Sequence, residues 1–341
     1  MKKPLFYTCM LKLKGKRVLK IILGISKFSV LIFLFLIFGI PYFICVSHSQ
    51  EINFKPYSNS EFITINEVSI HYRCWETNDT TDKPPVLLVH GFSGSTYTWR
   101  HTVSALTSAG HKVVAVDIPP YGYSDRNPKI NSSFSSRAKL LHAFLKTFGD
   151  TIKWHIAGHS MGGGIVQALA ILYPEQIQSV TFANGALFTT MEKSAALAPA
   201  LLRFPPLERF LVVVGEQIFI TEKRVTKLLE SAYGVQALPE DVSAYLKALE
   251  VPGTSLAIIR SMTKSKEIEA LDASKLQTPG IAIWGDKDTW VPLEYSRKAL
   301  EMMPHIALEI IEGSAHCPME THYEMFNSIF LGFLDKNNKK Q

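Results

Sequence analysis

Three residue types, set far apart in this 341-residue chain, could carry out nucleophilic chemistry together. Ser160 stands in Gly158-His159-Ser160-Met161-Gly162, directly after the apolar run from Trp154 and directly before the helical pattern Ile165, Val166, Leu169, Ala170. A serine between strand and helix, with glycine two residues either side, fits a sharp turn. Its strained backbone needs small neighbours and lifts the hydroxyl clear of the sheet. Such a hydroxyl attacks only when a histidine takes its proton and an acid fixes that histidine's tautomer. Two later loops offer these groups: Gly285-Asp286-Lys287-Asp288, after a run ending at Trp284, and Gly313-Ser314-Ala315-His316, after one ending at Ile311. Asp286 competes with Asp288 as the acid. His90 and His159 compete with His316 as the base, but both adjoin glycines in tight turns, where a histidine more naturally orients backbone.

The elements that must hold these residues alternate along the chain. Residues 62–65 and 68–73 flank Asn66-Glu67 as a hairpin. Strands are expected at 86–89, 113–116, 155–157, 179–183, 280–284 and 307–311. Helices are expected at 95–109, 134–148, after Ser160, at 293–302 and near the C-terminus to Leu334. That order implies an α/β fold with a doubly wound, mostly parallel sheet. In such a sheet reacting groups sit on loops at the carboxyl ends of strands, where Ser160, both aspartates and His316 fall. The rhythm breaks over 186–269, which reads as a mostly helical insertion.

With Ser160, Asp288 and His316 in that chain order, the sequence resembles the α/β-hydrolase fold family, of the serine esterase and lipase kind with a helical lid. The resemblance is carried by His90-Gly91-Phe92-Ser93-Gly94, the stretch Asp117 to Asp125, Gly158 to Gly162, the Gly-Asp-x-Asp-x-x-Val-Pro loop from Gly285, and Gly313 to His316. Pro120 stands where many relatives have glycine. The resemblance implies a core of 61–185 and 270–341 with a lid over 186–269. It implies a catalytic triad of Ser160, Asp288 and His316, with Asp286 bracing its loop. It also implies an oxyanion hole from the backbone N–H groups of Phe92 and Met161. The expected reaction is carboxylic-ester hydrolysis through an acyl-enzyme. A carbon–carbon bond hydrolase or an acyltransferase would keep the same triad, and a binding protein on this fold is the non-enzyme alternative. A serine nucleophile argues against the epoxide hydrolases and dehalogenases of this fold, which use aspartate. No metal, nucleotide or flavin motif occurs, so no cofactor is expected.

Charge is unevenly distributed. The net charge of +6 arises in residues 1–46, which hold Lys2, Lys3, Lys12, Lys14, Lys16, Arg17, Lys20 and Lys27 and no acid. The remainder is slightly acidic, which excludes a nucleic-acid-binding body. Residues 28–46 carry no charge and are long enough to cross a bilayer as a helix. The expected layout is a basic cytosolic arm over 1–27, a single transmembrane anchor over 28–46, a linker over 47–60 and a non-cytosolic catalytic part. A cleaved signal peptide is the alternative. The expected partners are the membrane and a small-molecule or lipid-like ester. Cys9, Cys45, Cys74 and Cys317 form neither a zinc spacing nor a disulfide framework.

Overall fold

Runs such as Val86–Val89 and Val113–Val116 leave a strand no polar face, so each must be covered on both sides. In the computed structural model, which describes residues 27–48, 52, 54–77, 83–127, 129–193 and 204–338, both runs are fully buried strands. Ten strands are described: β1 Ser60–Ile65, β2 Val68–Trp75, β3 Val86–Val89, β4 Val113–Val116, β5 Trp154–His159, β6 Ile177–Ala183, β7 Thr190–Met191, β8 Leu271–Asp272, β9 Gly280–Gly285 and β10 Ile306–Ile311. Eight form one sheet in the order β1-β2-β4-β3-β5-β6-β9-β10. β2 runs antiparallel to both its neighbours and the other pairings are parallel. Asn66 and Glu67 turn the β1–β2 hairpin with positive φ of 49° and 66°.

Alternate side chains enter opposite layers, as the two-residue period of a strand requires. Leu87 and Val89 join a core packed under helices α3 (Phe134–Lys146), α4 (Met161–Leu172) and α9 (Leu293–Glu301). Val86 and Leu88 join a second core under α2 (Arg100–Ser108) and α11 (Tyr323–Asn337). Covering both faces makes the sheet doubly wound, as expected. The helix expected at 95–109 is divided: Ser95 caps a 3₁₀ turn, Thr96–Trp99, before α2 begins. Between β7 and β8, which pair as a short ribbon, lie α5 (Pro205–Val214), α6 (Glu222–Tyr233), α7 (Pro239–Leu249) and α8 (Thr254–Lys264). These four helices form a cap. Short α10 (Pro318–Thr321) follows the His316 loop.

The N-terminal stretch departs from the expectation of one transmembrane helix over 28–46. The described helix, α1, covers residues 27–38, and a 3₁₀ turn follows at Ile40–Phe43. Pro41 lacks an N–H and its ring would meet the carbonyl four residues back, so the helix stops short of it. Among the described residues no helix is long and apolar enough to cross a membrane. The basic arm lies almost wholly outside the described residues. Every residue from 27 to 36 is exposed, so α1 meets the body only at its C-terminal end, where the Phe38 ring lies edge-on to Phe204 at 6.2 Å.

Two glycines test how tightly the fold is fitted. A Cβ on Gly158 would stand 2.3 Å from the Gly162 carbonyl oxygen, a backbone contact that cannot yield, whereas Gly332 on α11 has nothing within 4 Å. Gly158→Ala is expected to cost about 1–3 kcal/mol or more. Gly332→Ala is expected to add up to about 1 kcal/mol of stability. Denaturant melts of the two variants would show shifts of opposite sign.

Candidate active site

Ser160 is the single residue between β5 and α4, at φ 51° and ψ −119°. A non-glycine residue held there costs about 1–3 kcal/mol and persists only where its surroundings over-determine it. They do so here. The Ser160 N–H donates to the Ala183 carbonyl at 3.1 Å, and its own carbonyl accepts from Gly163 (2.9 Å) and Ala186 (2.8 Å). Gly158 and Gly162 permit the strand and helix to close on each other. The preceding loop is equally close, since a Cβ on Gly91 would lie 3.0 Å from the Ser160 Cβ. That approach brings the Phe92 amide, on the loop after β3, alongside the serine. Met161 is the first residue of α4, where N–H groups have no partner within the helix. These are the two amides that the resemblance assigns to an oxyanion hole.

His316 and Asp288 come from the loops after β10 and β9. His316 Nδ1 donates to Asp288 Oδ2 at 2.9 Å. Asn184, on the loop after β6, donates to the same oxygen at 2.6 Å, and the N–H groups of Trp290 (2.8 Å) and Val291 (3.0 Å) take Oδ1. Burial opposes ionisation of Asp288, but the bond and field of His316, with those of Asn184 and Val291, outweigh it and hold its carboxyl below the usual range. Asp286 faces the other way, accepting from Gly313 N–H at 2.6 Å and lying 2.8 Å from Lys287. It ties the β9 and β10 loops together and does not touch the histidine.

The rival histidines serve the backbone. His159 Nε2 donates to the His316 carbonyl at 2.9 Å, and burial, helped by His316, lowers its pKa to about 3. His90 Nδ1 donates to the Gly91 carbonyl at 2.7 Å while its Nε2 accepts from Ile118 N–H at 2.9 Å. Burial lowers its pKa too. Both are neutral struts. The cap completes the setting. His316 N–H donates to the Ala232 carbonyl of α6 at 2.9 Å, and Trp290, stacked on the His316 ring at 5.5 Å, donates its indole N–H to Ser231 at 3.1 Å.

Ser160 and His316 open onto one chamber of about 60 Å³, walled by Phe92, Leu229, Tyr245 and Trp290. It adjoins a larger cavity of about 980 Å³ between cap and sheet, and the two share Phe92, Val225, Leu228 and Trp290. Trp99, on the 3₁₀ turn before α2, lines neither space and is fully buried in the core beside Phe326. Among the described residues no cluster of histidine, cysteine, aspartate or glutamate could hold a metal ion.

Two buried assemblies join residues that lie far apart in the sequence, although Asp117 reads there as a loop-stabilising carboxylate. Ser60, His71 and Asp117 are linked at 2.8 and 2.7 Å in the manner of a second Ser-His-Asp set, yet all three are sealed from solvent. Asp117 also accepts from the N–H groups of Thr96 (2.6 Å) and Tyr123 (2.7 Å), so this set braces loops. The other centres on Glu320, one helical turn beyond His316. It binds Arg100 and accepts from the hydroxyls of Tyr233 (2.8 Å) and Tyr245 (2.7 Å) of the cap. Burial pushes its carboxyl up despite Arg100.

Residues 84–323 match the α/β hydrolase fold family, and the chain belongs to it. A 2-hydroxy-6-oxononadienedioate/2-hydroxy-6-oxononatrienedioate hydrolase of Burkholderia vietnamiensis (strain G4 / LMG 22486) is 27% identical over 282 residues, covering 79% of this chain and 91% of its own. Lipase 3 of Moraxella sp. (strain TA144) is 25% identical over 245 residues, covering 71% and 74%. Among solved structures, a membrane phospholipase A described as a bacterial virulence factor superposes with a TM-score of 0.65 at 22% identity. That match covers 97% of this chain and 99% of the other. The chain is therefore an enzyme-family α/β hydrolase, related to hydrolases of more than one substrate type.

The geometry separates the two aspartates. Asp288→Asn is expected to lower turnover by about 10²–10⁴-fold through loss of the tautomer lock, and Asp286→Asn by only a few-fold. Steady-state kinetics on one ester would check this. Stability should also respond to acid. His155 Nδ1 lies 2.6 Å from Ser179, and burial brings its pKa to about 4, beside about 3 for His159. Below the ordinary value near 6.5 the unfolded chain takes up protons that the native state refuses. Stability is thus complete above about pH 6.5 and falls as pH drops toward 4 and 3. Denaturant melts from pH 7.5 to 4.5 should show that slope, reduced in His155→Gln.

Proposed function

We propose that this protein is a membrane-anchored serine hydrolase that cleaves carboxylic esters with apolar, lipid-like acyl groups through an acyl-enzyme. Ser160 is the nucleophile, His316 the general base and then acid, and Asp288 the residue that orients and charges-balances the imidazole. Phe92 and Met161 supply the N–H donors for the tetrahedral oxyanion. The observation that carries this reading is the shared chamber. Ser160 and His316 face one small space, and the Nδ1 of His316 is fixed on a carboxylate that three other donors hold still.

The ester half of the reading rests on the cavity beyond that chamber, whose wall is largely hydrocarbon, with Leu211, Val214, Ile258 and Ile259 among its residues. The membrane half rests on α1. A helix so largely apolar, which meets the body only through Phe38 against Phe204, needs a non-aqueous surround. Phe28, Leu31, Phe33 and Phe35 are each more than half exposed. The exit of α1 is tied to the cap beside the cavity. Arg209 of α5 donates to the carbonyl of Pro41 at 2.9 Å and to that of Ile44, and Glu216 accepts from the Ser47 N–H at 3.1 Å. Phe204, Ile218, Phe219 and Met262 stand exposed on this same side. An anchor held there sets the apolar cap edge against lipid. The excess of Lys and Arg before α1 orients the catalytic part to the non-cytosolic side.

The Burkholderia relative, named for a dienedioate, keeps carbon–carbon bond hydrolysis open as a second reading with the same residues. The decisive test is a p-nitrophenyl ester series from acetyl to palmitoyl, with Ser160→Ala beside the native protein. Loss by orders of magnitude in Ser160→Ala, with a medium- or long-chain optimum, supports the ester reading. Folded protein that turns over no ester and is not labelled at Ser160 by a fluorophosphonate would overturn it. A second expectation concerns the cap edge. Phe219→Asp should reduce hydrolysis of long-chain ester in vesicles at least about tenfold while changing a soluble acetyl ester by less than about twofold.

A further inference from the structure

Arg137 is a buried charge that neither the catalytic groups nor the framework explains. It lies on α3, is 6% exposed, and lines the larger cavity beside Met161. Its contacts are poor for a guanidinium. Nη1 meets the Met161 sulfur at 3.2 Å, Nη2 meets the Pro119 carbonyl at 3.4 Å, and Nε has no hydrogen-bond partner among the described residues. The Tyr121 ring lies 5.7 Å away and its hydroxyl is in hydrogen-bond contact with Arg137 and Ser261. The acid whose field reaches it, Glu267, already accepts from Phe134 N–H (2.9 Å), Ser135 N–H (3.0 Å) and the Ser135 hydroxyl (2.5 Å).

Arg126 shows how this same fold treats a structural arginine. It is 3% exposed, with Nε on the Thr254 hydroxyl at 3.1 Å and its other nitrogens on the carbonyls of Tyr121, Ser124, Gly122 and Ala248. Each nitrogen has an oxygen. Arg137 instead presents an incompletely satisfied cation, one that cannot shed its charge at physiological pH, to the wall of a substrate-sized cavity. A charge removed from water and left without a counter-charge is strongly unfavourable, and an oxyanion is the partner a guanidinium fits best.

We propose that Arg137 is a substrate-recognition residue for an oxyanion, carboxylate or phosphate, carried close to the scissile ester, so that the preferred substrate is an anionic amphiphile. The closeness follows from Met161, which touches Arg137 through its sulfur and borders the reacting carbonyl through its amide. Tyr121 adds its hydroxyl beside the anion, the Ser261 hydroxyl being donated to the Ile258 carbonyl at 2.9 Å, and the aliphatic wall takes the hydrocarbon. This inference rests on the ester-hydrolase reading above.

The test compares p-nitrophenyl octanoate with the p-nitrophenyl half-ester of suberic acid, which adds a terminal carboxylate, and the butyrate with the hemisuccinate. Octanol, octanoate and octyl phosphate are compared as inhibitors of octanoate-ester hydrolysis. In the native protein at least one anionic ester or inhibitor should be favoured about 10- to 100-fold over its neutral counterpart, the advantage of a charge-assisted bond. Whether octanoate or octyl phosphate gains more distinguishes a carboxylate from a phosphate source. Arg137→Met should erase that advantage, chiefly through KM and Ki, while keeping neutral-ester kcat within a few-fold, and Arg137→Lys should retain part of it. Equal inhibition by all three compounds, or an Arg137→Met variant that loses neutral and anionic turnover alike, would overturn the proposal. If Arg137→Met does not fold, the native-protein comparisons decide alone. Neutral-ester turnover and fluorophosphonate labelling of Ser160 report separately on the hydrolase reading, so either can fail without the other.

Discussion

The close approach of β5 and α4 around Ser160 is the constraint on which the rest of the site depends. A serine at φ 51° is unfavourable, and the molecule holds it there with three backbone hydrogen bonds and two glycines whose missing side chains let carbonyls come within contact. One of those bonds comes from Ala183 on β6 and another from Ala186 just beyond it. The turn is therefore fixed by the neighbouring strand as much as by its own residues. The loop after β3 is drawn in by the same crowding, through Gly91, and carries the Phe92 amide with it. The doubly buried centre of the sheet supplies the rigidity against which this strain is held, since β3, β5 and β6 have apolar layers on both faces.

Much of this framework was legible in the sequence because it depends on local pattern. Four-residue apolar runs marked β3 and β4, alternating segments either side of Asn66-Glu67 marked the hairpin, and glycine spacing marked the serine turn. Ser160, both aspartates and His316 fell on loops where such a sheet must carry its reacting groups, and the family resemblance singled out Asp288. What stayed hidden depends on residues that meet only in the folded state. Asp288 is held by Asn184, Trp290 and Val291, drawn from two loops, and nothing in the spacing shows that Asn184 points at it. Arg137 reads in sequence as an ordinary polar position of α3, and only the fold turns it inward. The N-terminal stretch differs from its expected extent for another reason. Its length and apolarity describe residues 28–46 as one span, but the backbone rule at Pro41 cuts the described helix at residue 38.

Electrostatics in the interior follow a consistent scheme. Buried carboxylates at Asp117 and Asp288 are surrounded by N–H donors and a histidine, which keeps them ionised despite desolvation. Buried histidines at His90 and His159 donate to carbonyls and remain neutral. Glu320 is the counterexample, because its donors are an arginine and two tyrosine hydroxyls on the cap, and its carboxyl is pushed upward. Cap and core are thus joined through a polar knot whose members come from α2, α6, α7 and α10, alongside the apolar contacts of Val225, Leu229 and Val242 with the core under α2 and α11.

The hydrogen bond from His316 N–H to the Ala232 carbonyl has a consequence for how such an enzyme can change over evolution or by design. In a modular hydrolase the part that shapes the pocket could be exchanged without touching the part that moves protons. Here the pocket-shaping helix α6 is also one of the supports of the proton-moving residue. Grafting a foreign cap would alter selectivity and, in the same stroke, shift the aim of the imidazole. Substrate choice and catalytic speed are mechanically linked in this chain, and neither can be retuned through the cap while the other is held constant.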